Sequence, residues 1–113
     1  MTRLDIKTTE RPGGVQLRLA GELDIASAAN LESELGRVEE GRPALIVIDL
    51  RPLEFMDSSG LRAIIAADTR ARNENRRLVL VRGSERVQRV LSITRLDERL
   101  EMVDDVQSLA GAA

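Results

Sequence analysis

Apolar residues change their period several times along this chain, and each change marks an element. Leu4 to Thr8 alternates apolar with polar, and so does Val15 to Leu19, with Val15, Leu17 and Leu19 on the inward side. Arg11-Pro12-Gly13-Gly14 between them is turn chemistry, so the two segments predict a hairpin with one solvated face, closed by Gly21-Glu22-Leu23-Asp24. From there Ala28, Leu31, Leu35 and Val38 follow a helical period. Asp24 is placed to cap that helix, and Gly41 to Pro43 ends it.

Ala44 to Ile48 is continuously apolar and rich in β-branched residues, the pattern of a strand covered on both faces. Asp49 ends the run, and Arg51-Pro52 breaks the ladder because proline has no backbone donor. An irregular but ordered connector is expected next, anchored by Leu53, Phe55 and Met56. Leu61, Ile64, Ile65 and Ala71 then define one face of a second helix, with Asp68 as a polar interruption, and Asp57, Ser58 or Ser59 supplies its N-cap. Leu78 to Val81 reads as another interior strand, Val87, Val90 and Leu91 as a third helix capped by Ser84, and Leu100 to Val103 as a short last strand. Val103, Val106 and Leu109, behind Asp104 and Asp105, suggest a fourth helix, followed by a loose tail over residues 110–113. The order is ββαβαβα(β)α without linker or repeat: one α/β domain over residues 1–113, a mixed sheet of about four to five strands packed with helices.

Composition narrows the chemistry by what is missing. With no Cys and no His, disulfides, thiolate nucleophiles, a Ser/His/Asp triad and His-based metal sites are excluded. One Phe and no Trp or Tyr leave an aliphatic core and no base-stacking platform, and a net charge of −2 gives no basic footprint. Nucleic acid is therefore not expected as a partner. Neither a membrane span nor the apolar region of a signal peptide is visible, so a cytoplasmic protein is expected.

The richest stretch is Asp57-Ser58-Ser59-Gly60, where a buried strand delivers two serines to a helix start. It reads either as a plain helix cap or as a serine held outward at a helix N-terminus, where free amides and the helix dipole would stabilise a phosphate. A nucleophile elbow would read G-x-S-x-G, and no glycine loop with lysine is present for nucleotide hydrolysis. Asp49 followed by Pro52 superficially suits a receiver domain, but the acidic pair and late lysine are missing: Lys7, in the first strand, is the only lysine. The ordinary role for Asp49 is a strand-end acid hydrogen-bonding a nearby loop. Seven arginines between Arg70 and Arg89, against Glu74 and Glu85, form either a solvated surface or a dock for an acidic partner.

Taken together, Gly21-Glu22-Leu23-Asp24, Val47-Ile48-Asp49-Leu50, Phe55-Met56-Asp57-Ser58-Ser59-Gly60-Leu61 and Ile93-Thr94-Arg95-Leu96-Asp97 resemble the STAS domain family, specifically the free-standing bacterial anti-sigma factor antagonists. One departure is Arg95, where relatives commonly carry glycine. The resemblance implies the STAS fold, four helices on its sheet, and a non-enzymatic role without cofactor or metal. It further implies binding to an anti-sigma factor of the serine-kinase type, with release of a sigma factor. That kinase would phosphorylate Ser58, a PP2C-like phosphatase would reverse it, and Asp24, Asp57, Ser59 and Gly60 would shape the surface around it. A monomer or weak dimer is expected. An unphosphorylated scaffold or complex subunit, and a sensor of nucleotides or small ligands, are the alternative roles.

Overall fold

The computed structural model describes residues 3–112. The hairpin is β1 (Leu4–Arg11) and β2 (Gly14–Leu23), paired antiparallel so that Leu4 faces Gly21 and Arg11 faces Gly14. Pro12 and Gly13 make the turn: proline presets its φ, and Gly13 takes the positive φ of +76° that a side chain would resist. Then follow α1 (Ala28–Glu40), β3 (Leu45–Asp49), β4 (Leu53–Met56), α2 (Ser58–Asn73), β5 (Arg77–Val81), α3 (Glu85–Ile93) and β6 (Glu101–Val103). Two short 3-10 segments, Leu96–Glu98 and Val106–Ala112, flank β6.

The sheet runs β1-β2-β3-β5-β6, and only the β1–β2 hairpin is antiparallel. It has six strands because the expected connector is itself a strand. Pro52 does interrupt the ladder, but only for the turn Leu50–Pro52; at Leu53 the chain resumes pairing, parallel to the last residues of β2. Both β3 and β4 thus lie on the side of β2 away from β1, end to end. Leu53 and Met56 are buried as anchors, whereas Phe55 points outward.

Alternation along the strands explains the continuous apolar runs. Ile46, Ile48, Leu78 and Leu80 join Leu17, Leu19 and the inward faces of the three helices in the main core. Val47, Val79 and Val81 face the opposite side, where Leu109, Val103 and Val106 cover them. The expected fourth α-helix is thus corrected to three α-helices and a C-terminal 3-10 segment: Val103 is taken up by β6, and the residues left are too few for a stable α-helix of their own. The segment still covers the sheet's second face. Of the tail expected over residues 110–113, Ala110 to Ala112 belong to this segment and Ala113 lies outside the described residues.

The arginine run resolves into ion pairs. Arg70 meets Glu39 on α1, Arg72 meets Asp68 and the Arg99 carbonyl, Arg76 meets Glu74, Arg77 meets Glu101, and Arg82 meets Asp104. A stretch that is strongly positive in sequence is largely neutralised by acids from α1, α2, β6 and the loops around them.

Candidate functional site

Parallel neighbours end side by side, so the loops that leave them share one end of the sheet. Leu23, the last residue of β2, is in register with Met56, the last of β4, which places Asp24 and Asp57 at adjacent strand ends. The Leu23 carbonyl accepts the Asp57 amide at 3.1 Å and binds the two ends together.

Of the three possible caps, Asp57 takes the position. Its backbone is extended, and its Oδ1 accepts from the amides of Ser59 at 2.8 Å and Gly60 at 3.2 Å. Ser58 thereby becomes the first helical residue and is exposed, while Ser59 is half-buried and Gly60 buried. Gly60 is required by close approach: a Cβ there would lie 2.5 Å from Leu23 Cγ and 2.8 Å from the Leu23 carbonyl oxygen. The first turn of α2 is therefore clamped against the end of β2, with the Ser58 hydroxyl on its outer side. One expectation changes here. The amides of Ser59 and Gly60 are occupied by Asp57, so they are not free to offset a phosphate on Ser58.

Asp24 caps a turn one step ahead of the helix it was expected to start. Its Oδ1 accepts from Ala26 at 2.9 Å and Ser27 at 3.2 Å, and α1 begins at Ala28 with Ser27 in the cap position. Ser27, not singled out in the sequence, is the buried pin of this corner: its hydroxyl donates to the Glu22 carbonyl at 2.8 Å and accepts from the Asp24 amide at 3.0 Å. The signal was there in the three-residue spacing from Asp24, the reach of a side chain folding back on a tight turn. Ile25, 80% exposed, and Phe55, 38% exposed, are apolar side chains next to Asp24 and Met56 respectively.

Asp49 has the loop-holding role. Wholly buried, it accepts from the Arg51 amide, Nε and Nη2 at 3.1, 2.9 and 2.9 Å. Burial pushes its carboxyl up, but the hydrogen bonds and charge of Arg51 outweigh this and hold it below its ordinary range. That ion pair fixes the turn delivering β4, and through β4 it fixes Asp57 and Ser58. Arg95 adopts a left-handed backbone with φ of +60°. A glycine would be unstrained there.

A sheet of this topology, with two acids and a serine gathered at the ends of β2 and β4, defines a small α/β module, and the chain belongs to the STAS domain family, whose model matches residues 5–109. It is similar to the anti-sigma-F factor antagonist RsfB of Mycobacterium tuberculosis, 32% identical over 81 residues, which is 72% of this chain and 66% of RsfB, a little under two thirds of that protein. In fold it matches the crystal structure of an anti-sigma factor antagonist from Mycobacterium paratuberculosis, with a TM-score of 0.88 at 24% identity over 97% of this chain and 93% of that one. Bacillus SpoIIAA is also similar in fold. Its unphosphorylated form scores 0.71 at 21% identity over 96% of this chain and 94% of that one. Its phosphorylated form scores 0.72 at 20% identity over 98% of this chain and 100% of that one.

Proposed function

We propose that this chain is an anti-sigma factor antagonist: it docks through the β2 and β4 ends onto an anti-sigma factor of the serine-kinase type and thereby frees a sigma factor. The kinase switches the interaction off by phosphorylating Ser58, and a PP2C-like phosphatase restores it. The chain is ligand and substrate in this cycle, a single domain over residues 1–113 that performs no catalysis and works in the cytoplasm. The observation carrying the reading is the exposed Ser58 on a rigidly clamped helix start, with Asp57 engaged as its cap. RsfB and SpoIIAA, named as antagonists, support it from outside the chain.

Electrostatics makes such a switch effective. A phosphate adds roughly −1.5 to −2 charges at neutral pH, beside a carboxylate that has already taken the amides of Ser59 and Gly60. In the free protein water solvates the dianion at this exposed position, and the fold has no reason to change; SpoIIAA keeps the same likeness to this chain in both of its forms. Against a partner the same dianion must lose water beside Asp57. A mispaired interfacial charge costs about 2–5 kcal/mol, which at 1.4 kcal/mol per decade weakens binding roughly 30- to 4,000-fold. Ile25 and Phe55 supply the apolar contact that this charge disrupts.

The test is incubation with candidate anti-sigma kinases and ATP, followed by mass spectrometric location of the phosphate. Phosphate on Ser58, lost in Ser58→Ala and retained in Ser59→Ala, is the expected result. Phosphate elsewhere, or none with kinases active on their own antagonists, overturns the switch and leaves a scaffold whose serines only build a helix start.

A further inference from the structure

The sheet has one long open margin. β1 ends the strand order, and its only strand partner among the described residues is β2, so alternate amides and carbonyls along eight residues face outward. Its side chains alternate strictly at the start: Leu4, Ile6 and Thr8 are half-buried, and Asp5 and Lys7 are exposed on the other face. Between Ile6 of the strand and Asn30 and Arg37 of α1 lies an open groove of about 440 Å³, crossed by the hydrogen bond from the Thr8 hydroxyl to Glu34. The helical layer therefore stops short of this margin, leaving Leu4 and Ile6 only partly covered.

We propose that a second copy of this chain adds its own β1 antiparallel to this edge, joining two sheets about a two-fold axis at Ile6. Antiparallel neighbours opposite each other share a face, so a symmetric pairing must match residues of equal parity. With the axis at Ile6, Asp5 lies opposite the partner's Lys7 and Lys7 opposite the partner's Asp5. On the inner face Ile6 meets the partner's Ile6, and Leu4 meets the partner's Thr8. Neighbouring registers fail on charge or polarity. An axis at Asp5 sets the two Asp5 carboxylates against each other, one at Lys7 does the same with the two lysines, and one at Thr8 puts Ile6 opposite Glu10. A lysine on an edge strand ordinarily discourages pairing. Here Lys7 opposes the registers centred on Asp5, where it would meet Arg3, and on Lys7 itself, and it favours the one that gives it an aspartate. The helix-side groove has room for the partner's Leu4 and Ile6, and the paired stretch is short, which makes the dimer a reversible one.

Sedimentation of the purified chain over a rising concentration series tests the assembly. The weight-average mass is expected to climb from 12.5 kDa toward twice that value. Lys7→Asp, which sets Asp against Asp twice in the symmetric pair, is expected to stay monomeric over the same range with an unchanged circular dichroism spectrum. The charge swap Asp5→Lys with Lys7→Asp is expected to restore the dimer. Because the chain has no native cysteine, register can be read directly. Under mild oxidation Ile6→Cys forms a disulfide-linked dimer, whereas Thr9→Cys, which faces no copy of itself, does not. A monomer at all concentrations, a dimer indifferent to Lys7→Asp, or a charge swap that fails to rescue would each overturn the proposal.

Discussion

Asp57 holds two amides, and through them the first turn of α2, so its loss is expected to be felt in stability before any partner is present. Asp57→Ala should cost about 1 kcal/mol, the usual worth of an N-cap, and lower the melting temperature by about 4 °C for a domain of this size. Gly60→Ala should cost about 1–3 kcal/mol through overpacking, because the nearest obstacle includes the Leu23 carbonyl, which a side-chain rotation cannot clear. Ile25→Asp, by contrast, replaces an exposed side chain and should leave the melting temperature within about 1 °C of the parent while weakening partner binding. A matching loss of stability would show that Ile25 belongs to the fold and not to the docking surface. Which of three consecutive short oxygen side chains caps the helix was not legible in sequence, since Asp57, Ser58 and Ser59 are chemically equivalent for that task. Backbone angle decides it, and the anchoring of Asp57 by the Leu23 carbonyl sets the angle.

At the scale of elements, sequence periods located β1, β2, β3, β5 and the three α-helices because each buries a face of regular spacing. They missed β4, whose short run contains one outward Phe55 and follows a proline, and whose pairing partner lies some thirty residues upstream. They placed Val103 both in the short last strand and at the start of a fourth helix, and long-range pairing with Val81 decides for the strand, β6. The left-handed Arg95, between α3 and the following 3-10 turn, is strained at its backbone. Arg95→Gly should raise stability by about 1 kcal/mol, measured by urea unfolding, since the left-handed region costs a residue with a Cβ about that much. β1 and α1 are joined by Thr8, Glu34 and Arg37: the Arg37 guanidinium, then the Thr8 hydroxyl, hold the Glu34 carboxyl down to about 2 from 4.5. A depressed carboxyl stabilises the fold at pH above its unfolded value and loses that contribution as the pH falls through 4.5 toward 2. Glu34→Gln should therefore be less stable than the parent at about pH 6, with the difference closing by about pH 2. A gap that persists in acid would assign Glu34 a packing role and not a charged one.

For the whole molecule, the sheet both builds the site and holds it in place. Its parallel strands gather Asp24, Asp57 and Ser58 at one margin, while the clamp at Gly60 and the Asp49–Arg51 pair keep that margin from adjusting. A rigid site with an exposed hydroxyl suits control by charge, because a phosphate added there is met by geometry that cannot move to accommodate it. Part of this was legible early: the Asp57 to Gly60 string at a helix start requires only local reading, whereas the strand that delivers it, β4, read as an irregular connector. What sequence could not show was that Asp57 already holds the amides of Ser59 and Gly60, which leaves those two unable to compensate a phosphate on Ser58. The measurement that bears most directly on this account is the affinity of the cognate anti-sigma kinase for the chain before and after stoichiometric phosphorylation of Ser58, by calorimetry with a non-hydrolysable nucleotide. The account predicts a drop of roughly 30- to 4,000-fold with an unchanged fold by amide chemical shifts away from residues 56–61. Equal affinity of the two forms, or a drop accompanied by unfolding of α2, would contradict it.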